Sequence, residues 1–429
     1  MKLEKYELGE LCEIFGRIGF RGYTVNDLVP KGEGAITFSP SDINNFILSM
    51  DNCTYISNFK YEESPEIKVY NGDILFTKTG SSIGKTAYVE GLNEKATINP
   101  QFVVLKNFQC NGRYLFYVLS SKWFQKNIWN IVVGSTVPTM SQEDFKKREI
   151  FLPAKMEQDK IAKILTDIDS KIAVNKKINK ELEVMAKELY DYWFVQFDFP
   201  GVDGKPYKSS GGKMVYNEVL KRDIPDGWEV KKIQSLIKEN IGGDWGKEEP
   251  EGNYQLKVSC CRGADIVSMT DLPTRYILNA NSSKLLEEED MVVEISGGSP
   301  IQATGRCVLI SKEILNSFDN KLICSNFCQA LSISEKDYVS YFYHMWKMFY
   351  DSDIFFNFEG KTSGIKNFQY DTFVAEKWYF PPKELAKKFD EIISQNYKKK
   401  CALDQENKHL VVLRDELLPM LMNGQVSIK

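Results

Sequence analysis

Histidine is scarce in this chain of 429 residues, which contains only His344 and His409. A histidine-rich metal site or a Ser-His-Asp triad is therefore a poor explanation of its function. Long hydrophobic runs are also missing, so we expect no membrane-spanning segment. The first residues include Lys2, Glu4 and Lys5, where a signal peptide would need an apolar stretch.

The nine cysteines follow no regular framework of spacings, and their number is odd. That usage is typical of a reducing compartment, so we expect a cytoplasmic protein with buried, unliganded thiols. The apolar content of 43% and the charged content of 27% are those of a globular protein. The length is sufficient for two or more domains, each with its own core.

Positive charge is not in excess, because the net charge is −4. Residues 1–153 are neutral, residues 200–222 carry +3 and residues 223–382 carry −8. A protein that holds nucleic acid by bulk charge alone would not have this distribution. Any role in binding nucleic acid therefore requires local basic loops, or a partner that supplies positive charge.

Several short segments recur in the same order at a nearly constant offset, which indicates a duplication. Residues 4–8 resemble 226–230, 41–43 resemble 264–266, 73–76 resemble 290–293, and 150–153 resemble 378–381. The repeated unit is the size of a domain, too long for a solenoid repeat. Each copy is predicted to be an α+β module. We expect strands at 74–76, 87–89, 102–105 and 306–310, and helical stretches at 112–129 and 337–350.

Each copy is followed by a long stretch with heptad spacing. The first seam is Ile161, Leu165, Ile168, Ile172, Asn175, Asn179, Leu182, Ala186, Leu189 and Trp193. The second is Leu385, Phe389, Ile392, Asn396, Lys399, Leu403, Glu406, Leu410, Leu413 and Leu417. Two amphipathic helices that pack only on their own modules would give the same pattern. Their matched lengths favour pairing as an antiparallel coiled coil.

The predicted fold class is therefore α+β, with two duplicated modules separated by two long helices and related by pseudo-twofold symmetry. The expected boundaries are a first module at 1–153, a helix at 154–199, a linker at 200–222, a second module at 223–382 and a helix at 383–429. The connection at 198–222 is rich in Gly, Lys and Ser, and we predict that it is flexible.

Three motifs resemble catalytic sites but are incomplete. Residues 80–86 place three residues between the glycines of Gly-Ser-Ser-Ile-Gly-Lys-Thr, whereas a Walker loop has four and is followed by a helix. A hairpin that touches DNA backbone is the better interpretation, and a nucleotide hydrolase remains an alternative. Residues 225–231 resemble a nuclease set with the acids too close together. Residues 99–102 resemble a methyltransferase loop that lacks its second proline.

Loops that combine glycine with basic, small polar and aromatic residues are the better candidates for contacts to DNA. Glycine allows close approach, Ser and Thr can bond phosphate or base edges, and Arg or Lys can read guanine. Ordinary solvated turns are the alternative. The candidate residues are Arg17, Arg21, Tyr23, Lys78, Ser81, Ser135, Thr136, Trp245, Lys247, Arg262, Lys361, Ser363 and Lys366.

The end of the first long helix carries six aromatic residues between positions 190 and 199. We predict that part of this segment is a docking surface for another subunit, with an intramolecular core as the alternative. The docking candidates are Tyr190, Tyr192, Trp193, Phe194 and Phe197.

The ends of the two long helices are the most specific sequence motifs of the chain. They read Leu-Tyr-Asp-Tyr-Trp-Phe-Val-Gln-Phe-Asp-Phe-Pro at 189–200 and Leu-Arg-Asp-Glu-Leu-Leu-Pro-Met-Leu-Met-Asn-Gly-Gln-Val at 413–426. With residues 80–89 and the alternation of modules and helices, they resemble the DNA-specificity subunit of a Type I restriction–modification system. The resemblance covers essentially the whole chain. It implies that each module is a target recognition domain that reads one half of a bipartite, asymmetric double-stranded DNA site.

The same resemblance implies that the helices set the unread gap and dock two methyltransferase subunits, and that a motor–endonuclease subunit joins for cleavage. The chain itself would have no catalytic residues, no metal and no cofactor. S-adenosylmethionine, magnesium and ATP would be bound by the partner subunits. Base-contacting residues vary in such families and do not carry over individually. A coiled-coil scaffold that does not bind DNA remains the alternative.

Overall fold

The computed structural model describes residues 2–134, 136–297, 301–362 and 365–422, with the backbone alone at residues 20, 361, 362, 365 and 422. The chain divides into two compact units. Unit 1 is Met1–Ala173 with His409–Lys429, and unit 2 is Val174–Lys408. The helices are α1 Leu8–Leu11, α2 Asn58–Glu62, α3 Gly112–Ser120, α4 Lys122–Asn127, α5 Gln142–Lys146, α6 Lys155–Tyr190, α7 Lys312–Asn316, α8 Val339–Asp351, α9 Tyr370–Ala375 and α10 Lys383–Met422.

Unit 1 is built on a four-stranded and a five-stranded sheet. Its strands are β1 Glu4–Glu7, β2 Glu13–Gly16, β3 Leu28–Val29, β4 Ala35–Phe38, β5 Ile43–Asn44, β6 Ile47–Leu48, β7 Thr54–Ile56, β8 Lys68–Val69, β9 Ile74–Thr77, β10 Thr86–Tyr88, β11 Ala96–Ile98, β12 Phe102–Lys106, β13 Val132–Val133, β14 Thr139–Met140 and β15 Glu149–Leu152. The four-stranded sheet has the order β10-β9-β12-β2, and the five-stranded sheet has the order β3-β7-β4-β11-β8.

Unit 2 repeats this plan with its own strands. They are β16 Met214–Asn217, β17 Arg222–Pro225, β18 Glu229–Lys232, β19 Ile237–Gly242, β20 Tyr254–Cys261, β21 Thr274–Leu278, β22 Met291–Glu294, β23 Ser296–Gly297, β24 Cys307–Leu309, β25 Lys321–Cys324, β26 Cys328–Ile333, β27 Glu359–Thr362, β28 Ile365–Phe368 and β29 Lys377–Phe380. Its four-stranded sheet has the order β24-β22-β26-β19, and a three-stranded sheet has the order β21-β20-β25.

The predicted duplication is confirmed by the sheet topology. Both four-stranded sheets are antiparallel and place equivalent strands in the same order. The parallel pair β4–β11 of unit 1 corresponds to the parallel pair β20–β25 of unit 2. In unit 1 β1 pairs with β15, and in unit 2 β18 pairs with β29 in the same way. Both β15 and β29 directly precede a long helix. The predicted strands at 74–76, 87–89, 102–105 and 306–310 are confirmed to within two residues at their ends.

The core of each unit sits where its sheets and short helices meet the long helices. In unit 1 the buried face of α3, with Leu115 and Val118, packs with Phe145, Leu165 and Leu421. In unit 2 the buried face of α8 packs with Phe373, Tyr379 and Phe389. The aromatic and aliphatic side chains therefore bury the amphipathic helices against the sheets, which is the main source of stability in such layers.

The two long helices run antiparallel within each unit, as predicted. In unit 1 Arg414 Nη1 lies 2.9 Å from Asp169 Oδ1. In unit 2 Asn179 Nδ2 donates to Asp404 Oδ1 over 2.6 Å, and Lys400 Nζ lies 2.8 Å from Glu183 Oε1.

The predicted seam of α6 is confirmed in large part, since Ile161, Leu165, Asn175 and Asn179 are all buried. The predicted seam of α10 is wrong by about one position along much of its length. Ile392 and Leu413 are 41% and 45% exposed, whereas Ile393 and Asn407 are buried. Polar residues form much of the contact between α6 and α10, so the spacing of apolar residues alone did not reveal which positions of α10 face α6. The helix also continues through Pro419 to Met422.

The segment predicted as a flexible linker is folded within unit 2. Asp198 accepts hydrogen bonds from the Ser209 N–H over 2.7 Å and from Ser209 Oγ over 2.6 Å. Tyr207 stacks on Phe199 with ring centroids 4.6 Å apart, and β16 pairs with β17. The prediction of flexibility is therefore wrong, because hydrogen bonds and ring contacts within the segment, which composition cannot show, hold it in place.

Candidate nucleic-acid interface

Three loops of unit 1 meet at one end of its four-stranded sheet. They are 78–84 between β9 and β10, 99–101 before β12, and the described residues 134 and 136–138 between β13 and β14; we call them loop cluster 1. The Lys78 N–H donates to Gln101 O over 2.8 Å, and the Gly80 N–H donates to Pro138 O over 2.8 Å. The Met140 N–H closes the set by donating to Lys78 O over 2.9 Å. The structure thus brings together two of the three loops predicted for this module and adds residues 99–101.

Lys78 is the basic side chain at the centre of loop cluster 1. Burial lowers the pKa of its ammonium group, and no carboxylate among the described residues lies within ion-pair distance of it. A Cβ added at Gly16 would lie 3.2 Å from Lys78 Nζ, so the loop that begins at Gly16 adjoins the cluster. A phosphate or a base-edge acceptor that approached here would restore the lost solvation of the charge.

Residues 80–86 form the hairpin turn that the sequence favoured over a phosphate-binding loop. The Thr77 N–H donates to Lys85 O over 2.8 Å, and the Gly84 N–H donates to Thr77 O over 3.1 Å. Gly84 has φ +92°, which other residues rarely adopt. Lys85 Nζ donates to the carbonyls of Pro40 and Ile43, each over 3.1 Å. The lysine of the Walker-like motif therefore stabilises the neighbouring turn at residues 40–43.

Ser81 and Thr136 are exposed on loop cluster 1, so their predicted contacts to DNA stay predictions. Ser135 lies outside the described residues. Arg21 is partly buried, with Nη1 3.6 Å from Glu66 Oε1. Its predicted contact with DNA also stays a prediction. The nearby carboxylate of Glu66 partly offsets the positive charge of Arg21.

The prediction that Arg17 contacts DNA is wrong. Its side chain is only 5% exposed, and Nε donates to Ile98 O over 3.0 Å. Nη2 donates to Thr97 Oγ1 over 3.2 Å, and the guanidinium lies 5.4 Å from the ring centroid of Tyr23. Arg17 therefore holds its loop against β11. Tyr23 covers this guanidinium and remains half-buried.

Unit 2 contains an equivalent arrangement, which we call loop cluster 2. It consists of the described residues 295–297 and 301–306 between β22 and β24, the turn 325–327 before β26, and the paired strands β27 and β28. The Ile295 N–H donates to Phe327 O over 2.9 Å, and the Phe368 N–H donates to Ile295 O over 2.9 Å. These bonds repeat those of Lys78 with Gln101 and with Met140. Ser363 and the side chain of Lys361, both predicted to contact DNA, lie outside the described side chains.

Two basic side chains among the described residues of loop cluster 2 are paired with acids. Arg306 donates to buried Glu294 through Nε over 2.8 Å and Nη2 over 2.7 Å, and these bonds raise the pKa of Arg306. Lys366 Nζ lies 2.9 Å from Glu359 Oε2, with side-chain exposures of 16% and 8%. Lys366, a predicted DNA contact, is thus engaged with an acid inside its own unit. The charges of Arg306 and Lys366 are therefore neutralised within their own unit.

The remaining predicted residues of unit 2 also have partners. Arg262 donates to Asp265 through Nε over 2.8 Å and Nη2 over 2.9 Å, while 47% of its side chain is exposed. Lys247 is exposed, with Nζ 3.5 Å from Glu251 Oε2. The Arg275 guanidinium lies 4.1 Å from the Trp245 ring centroid. Arg262 and Lys247 remain accessible, and their contacts to DNA stay predictions, as does that of Trp245.

The aromatic segment at the end of α6 is a core and not an open surface. Tyr190, Trp193, Phe194 and Phe197 are at most 6% exposed, within the core of unit 2. The π turn Asp191–Val195 places Phe194 with its ring centroid 5.0 Å from that of Phe389. The docking prediction is therefore wrong for these four residues, since the second module's own helices cover them. Tyr192, at 38% exposure, is the docking candidate that remains.

The described residues include neither a cluster of metal ligands nor a membrane-spanning helix. Among them, no three or more His, Cys, Asp and Glu side chains are grouped so that they could hold a metal ion. In the same part of the chain, no helix combines the length and apolar character needed to cross a membrane.

Comparisons with known proteins point to one family. Residues 2–184 match the model of the Type I restriction modification DNA specificity domain. The chain is 25% identical, over 74% of its length and 70% of the relative's, to the Type I restriction enzyme MjaIX specificity subunit of Methanocaldococcus jannaschii. It is 24% identical, over 99% of both chains, to the HindI specificity subunit of Haemophilus influenzae.

A solved structure shows that the fold is shared with such subunits. The S subunit of a Type I restriction–modification system from M. genitalium superposes with a TM-score of 0.58 at 16% identity. The superposition covers 98% of this chain and 96% of that one. The fold is therefore common to both over nearly their whole length.

Proposed function

We propose that the chain is a DNA specificity subunit of a Type I restriction–modification system, which its similarity to that domain model and to two such subunits supports, and that its units each read one half of a bipartite, asymmetric DNA site. The observation that carries this proposal is the pair of loop clusters. They share backbone hydrogen bonds at Lys78–Gln101 and Ile295–Phe327 but present different side chains. A common frame with different side chains is what two unlike half-sites require.

The long helices, in this proposal, fix the unread gap between the half-sites. Their antiparallel contacts support this role, because Asp169–Arg414 in unit 1 and Glu183–Lys400 in unit 2 are specific charged pairs. We propose further that two methyltransferase subunits dock on the chain and that a motor–endonuclease subunit joins for cleavage. Tyr192, which is 38% exposed, is the predicted docking residue that remains accessible.

Chemistry belongs to the partner subunits in this account, which would bind S-adenosylmethionine, magnesium and ATP. The chain's own residues recognise DNA and position the partners. Support comes from the Walker-like turn, whose Lys85 is bonded to the carbonyls of Pro40 and Ile43. This lysine is therefore unavailable to bind a nucleotide phosphate.

The net charge suggests how much of the affinity for DNA comes from this chain and how much from its partner subunits. Residues 223–382 carry −8, and Glu294 and Glu359 neutralise basic residues of loop cluster 2. The methyltransferase subunits would then supply much of the phosphate neutralisation. We expect the isolated chain to bind duplex DNA weakly and with a shallow dependence on salt.

Equilibrium binding to a duplex that carries the site, measured over a series of KCl concentrations, tests this division. The chain alone is compared with the chain assembled with its methyltransferase subunits. Tight, sequence-specific binding with a steep salt slope is expected only for the assembly. An assembly that binds no DNA sequence-specifically would refute the function. Tight, steeply salt-dependent binding by the chain alone would refute only the assignment of charge to the partners.

A further inference from the structure

The duplication allows the two loop clusters to be compared residue by residue. The turn 99–101 and the turn 325–327 have the same bonds. The Asn99 N–H donates to Phe38 O over 2.9 Å, and the Ser325 N–H donates to Cys261 O over 2.8 Å. At the start of the strand that follows each turn, the Phe102 N–H donates to Asn99 O over 3.2 Å and the Cys328 N–H donates to Ser325 O over 2.9 Å. Gln101 and Phe327 therefore occupy the same position of the frame.

Gln101 is exposed, but its amide is held in place. Asn99 Nδ2 donates to Gln101 Oε1 over 3.1 Å, and the Gln101 N–H donates to Asn99 Oδ1 over 2.9 Å. Asn99 is itself only 7% exposed, so it is a fixed support. A Cβ added at Gly80 would lie 3.2 Å from Gln101 Nε2, so the amide lies beside the neighbouring hairpin. An exposed amide with restricted freedom loses less entropy when it binds.

Phe327 is the counterpart in unit 2, and its side chain is 50% exposed. Its carbonyl accepts from the N–H groups of both Ile295 and Ser296, over 2.9 and 3.1 Å, so the turn beneath the ring is fixed. A half-exposed phenylalanine on a bonded turn leaves apolar surface in water without contributing fully to the core. Covering this surface with an apolar group of a ligand is favourable, because it removes the exposed ring from water.

We propose that Gln101 and Phe327 are specificity-determining residues of the two units. The proposal rests on the proposed function and deepens it by naming which side chains read bases. A glutamine amide matches the N6 donor and N7 acceptor of adenine, so Gln101 reads an adenine in the half-site of unit 1. A phenylalanine ring contacts the methyl group of thymine, so Phe327 reads a thymine in the half-site of unit 2.

The test uses the full chain, expressed with its methyltransferase subunits in a host whose modified bases are then sequenced. Gln101→Ala is expected to lower discrimination by about 5- to 150-fold at one adenine position of one half-site. Phe327→Ala is expected to relax one thymine position of the other half-site. Gln101→Glu keeps the shape of the side chain and should shift the preference from adenine toward cytosine, whose N4 group is a donor.

Matched controls separate these effects from changes in folding. Gln109 is an exposed glutamine just beyond the other end of β12, and Tyr216 is an exposed aromatic residue of unit 2. Gln109→Ala and Tyr216→Ala should leave the modified motif unchanged. The inference is overturned if Gln101→Ala and Phe327→Ala retain the wild-type motif, if either changes both half-sites, or if the controls match them. A wild-type chain that directs no bipartite motif would instead refute the proposed function.

Discussion

Asn175 Nδ2 donates to Asn407 Oδ1 over 3.0 Å between α6 and α10 in unit 2, and both side chains are buried. Asn175 Nδ2 also lies 2.8 Å from Glu406 Oε2. Buried amides in a helix seam favour one register, because any slip would leave them without partners. A fixed register is what a spacer of constant length requires.

The amide pair gives a stability prediction. Asn175→Ala should lower the free energy of unfolding by about 1–3 kcal/mol, because Asn407 is left buried without its partner. Asn175→Leu combined with Asn407→Leu should recover most of that loss, since both polar groups are removed together. Denaturant unfolding of the single and double variants measures this. A single variant as stable as the wild type would show that the pair does not stabilise the helices.

The aromatic segment gives a contrast between neighbours. Phe194→Ala should destabilise unit 2 by about 3–5 kcal/mol, because the ring is fully buried among Tyr341, Trp228 and Phe389. Tyr192→Ala, at an exposed position, should change stability by about 0.5 kcal/mol or less. If Tyr192 contributes to docking, its variant should still fold but assemble less well with the methyltransferase subunits. Thermal unfolding and light scattering separate the two effects, and equal stability of the two variants would contradict the buried core.

His344 predicts a dependence of stability on pH. Burial lowers the pKa of this imidazole to about 4, although its Nδ1 lies 2.8 Å from Ser340 O. The unfolded chain therefore binds more protons between pH 4 and 6.5, so stability should fall as the pH decreases through that window. From pH 7 to 5 the loss is about 2 kcal/mol. Denaturant unfolding should show that His344→Phe removes most of this loss, and an unchanged pH slope would contradict it.

Lys78 predicts a change in DNA binding without a loss of folding. Lys78→Met should weaken DNA binding by the assembled complex and reduce the slope of log affinity against log salt by about 1. The free energy of unfolding should stay the same or increase, because a partly buried charge is removed. Lys31→Met, at an exposed lysine of the same unit, is the control. An unchanged slope for Lys78→Met would remove this residue from the interface.

Local pattern was sufficient to predict much of the fold. The strands around Leu75 and Val104 and the long helices followed from apolar periodicity, and the duplication followed from matches such as residues 73–76 with 290–293. The phase of α10 did not follow, because Asn407 and Arg414 take seam positions that apolar spacing assigns elsewhere. Polar seams depend on the partner helix, which one helix's sequence does not show.

The candidate site was only partly predictable for a related reason. Loops at 78–82 and 134–139 were selected by composition, and the structure brings them together. Arg17 was selected by the same rule, but its partners Ile98 and Thr97 lie about 80 positions away and turn it inward. Gln101 was missed because it is a single polar residue. Its significance appears only when its backbone bonds are compared with those of Phe327.

We propose that the two unlike units read two separate half-sites. Sequencing the modified bases in a host that expresses this chain with its methyltransferase subunits tests the claim most directly. We predict one motif made of two different specified segments, separated by a stretch of fixed length in which any base is accepted. A single uninterrupted motif, or two segments with a variable gap, would contradict it.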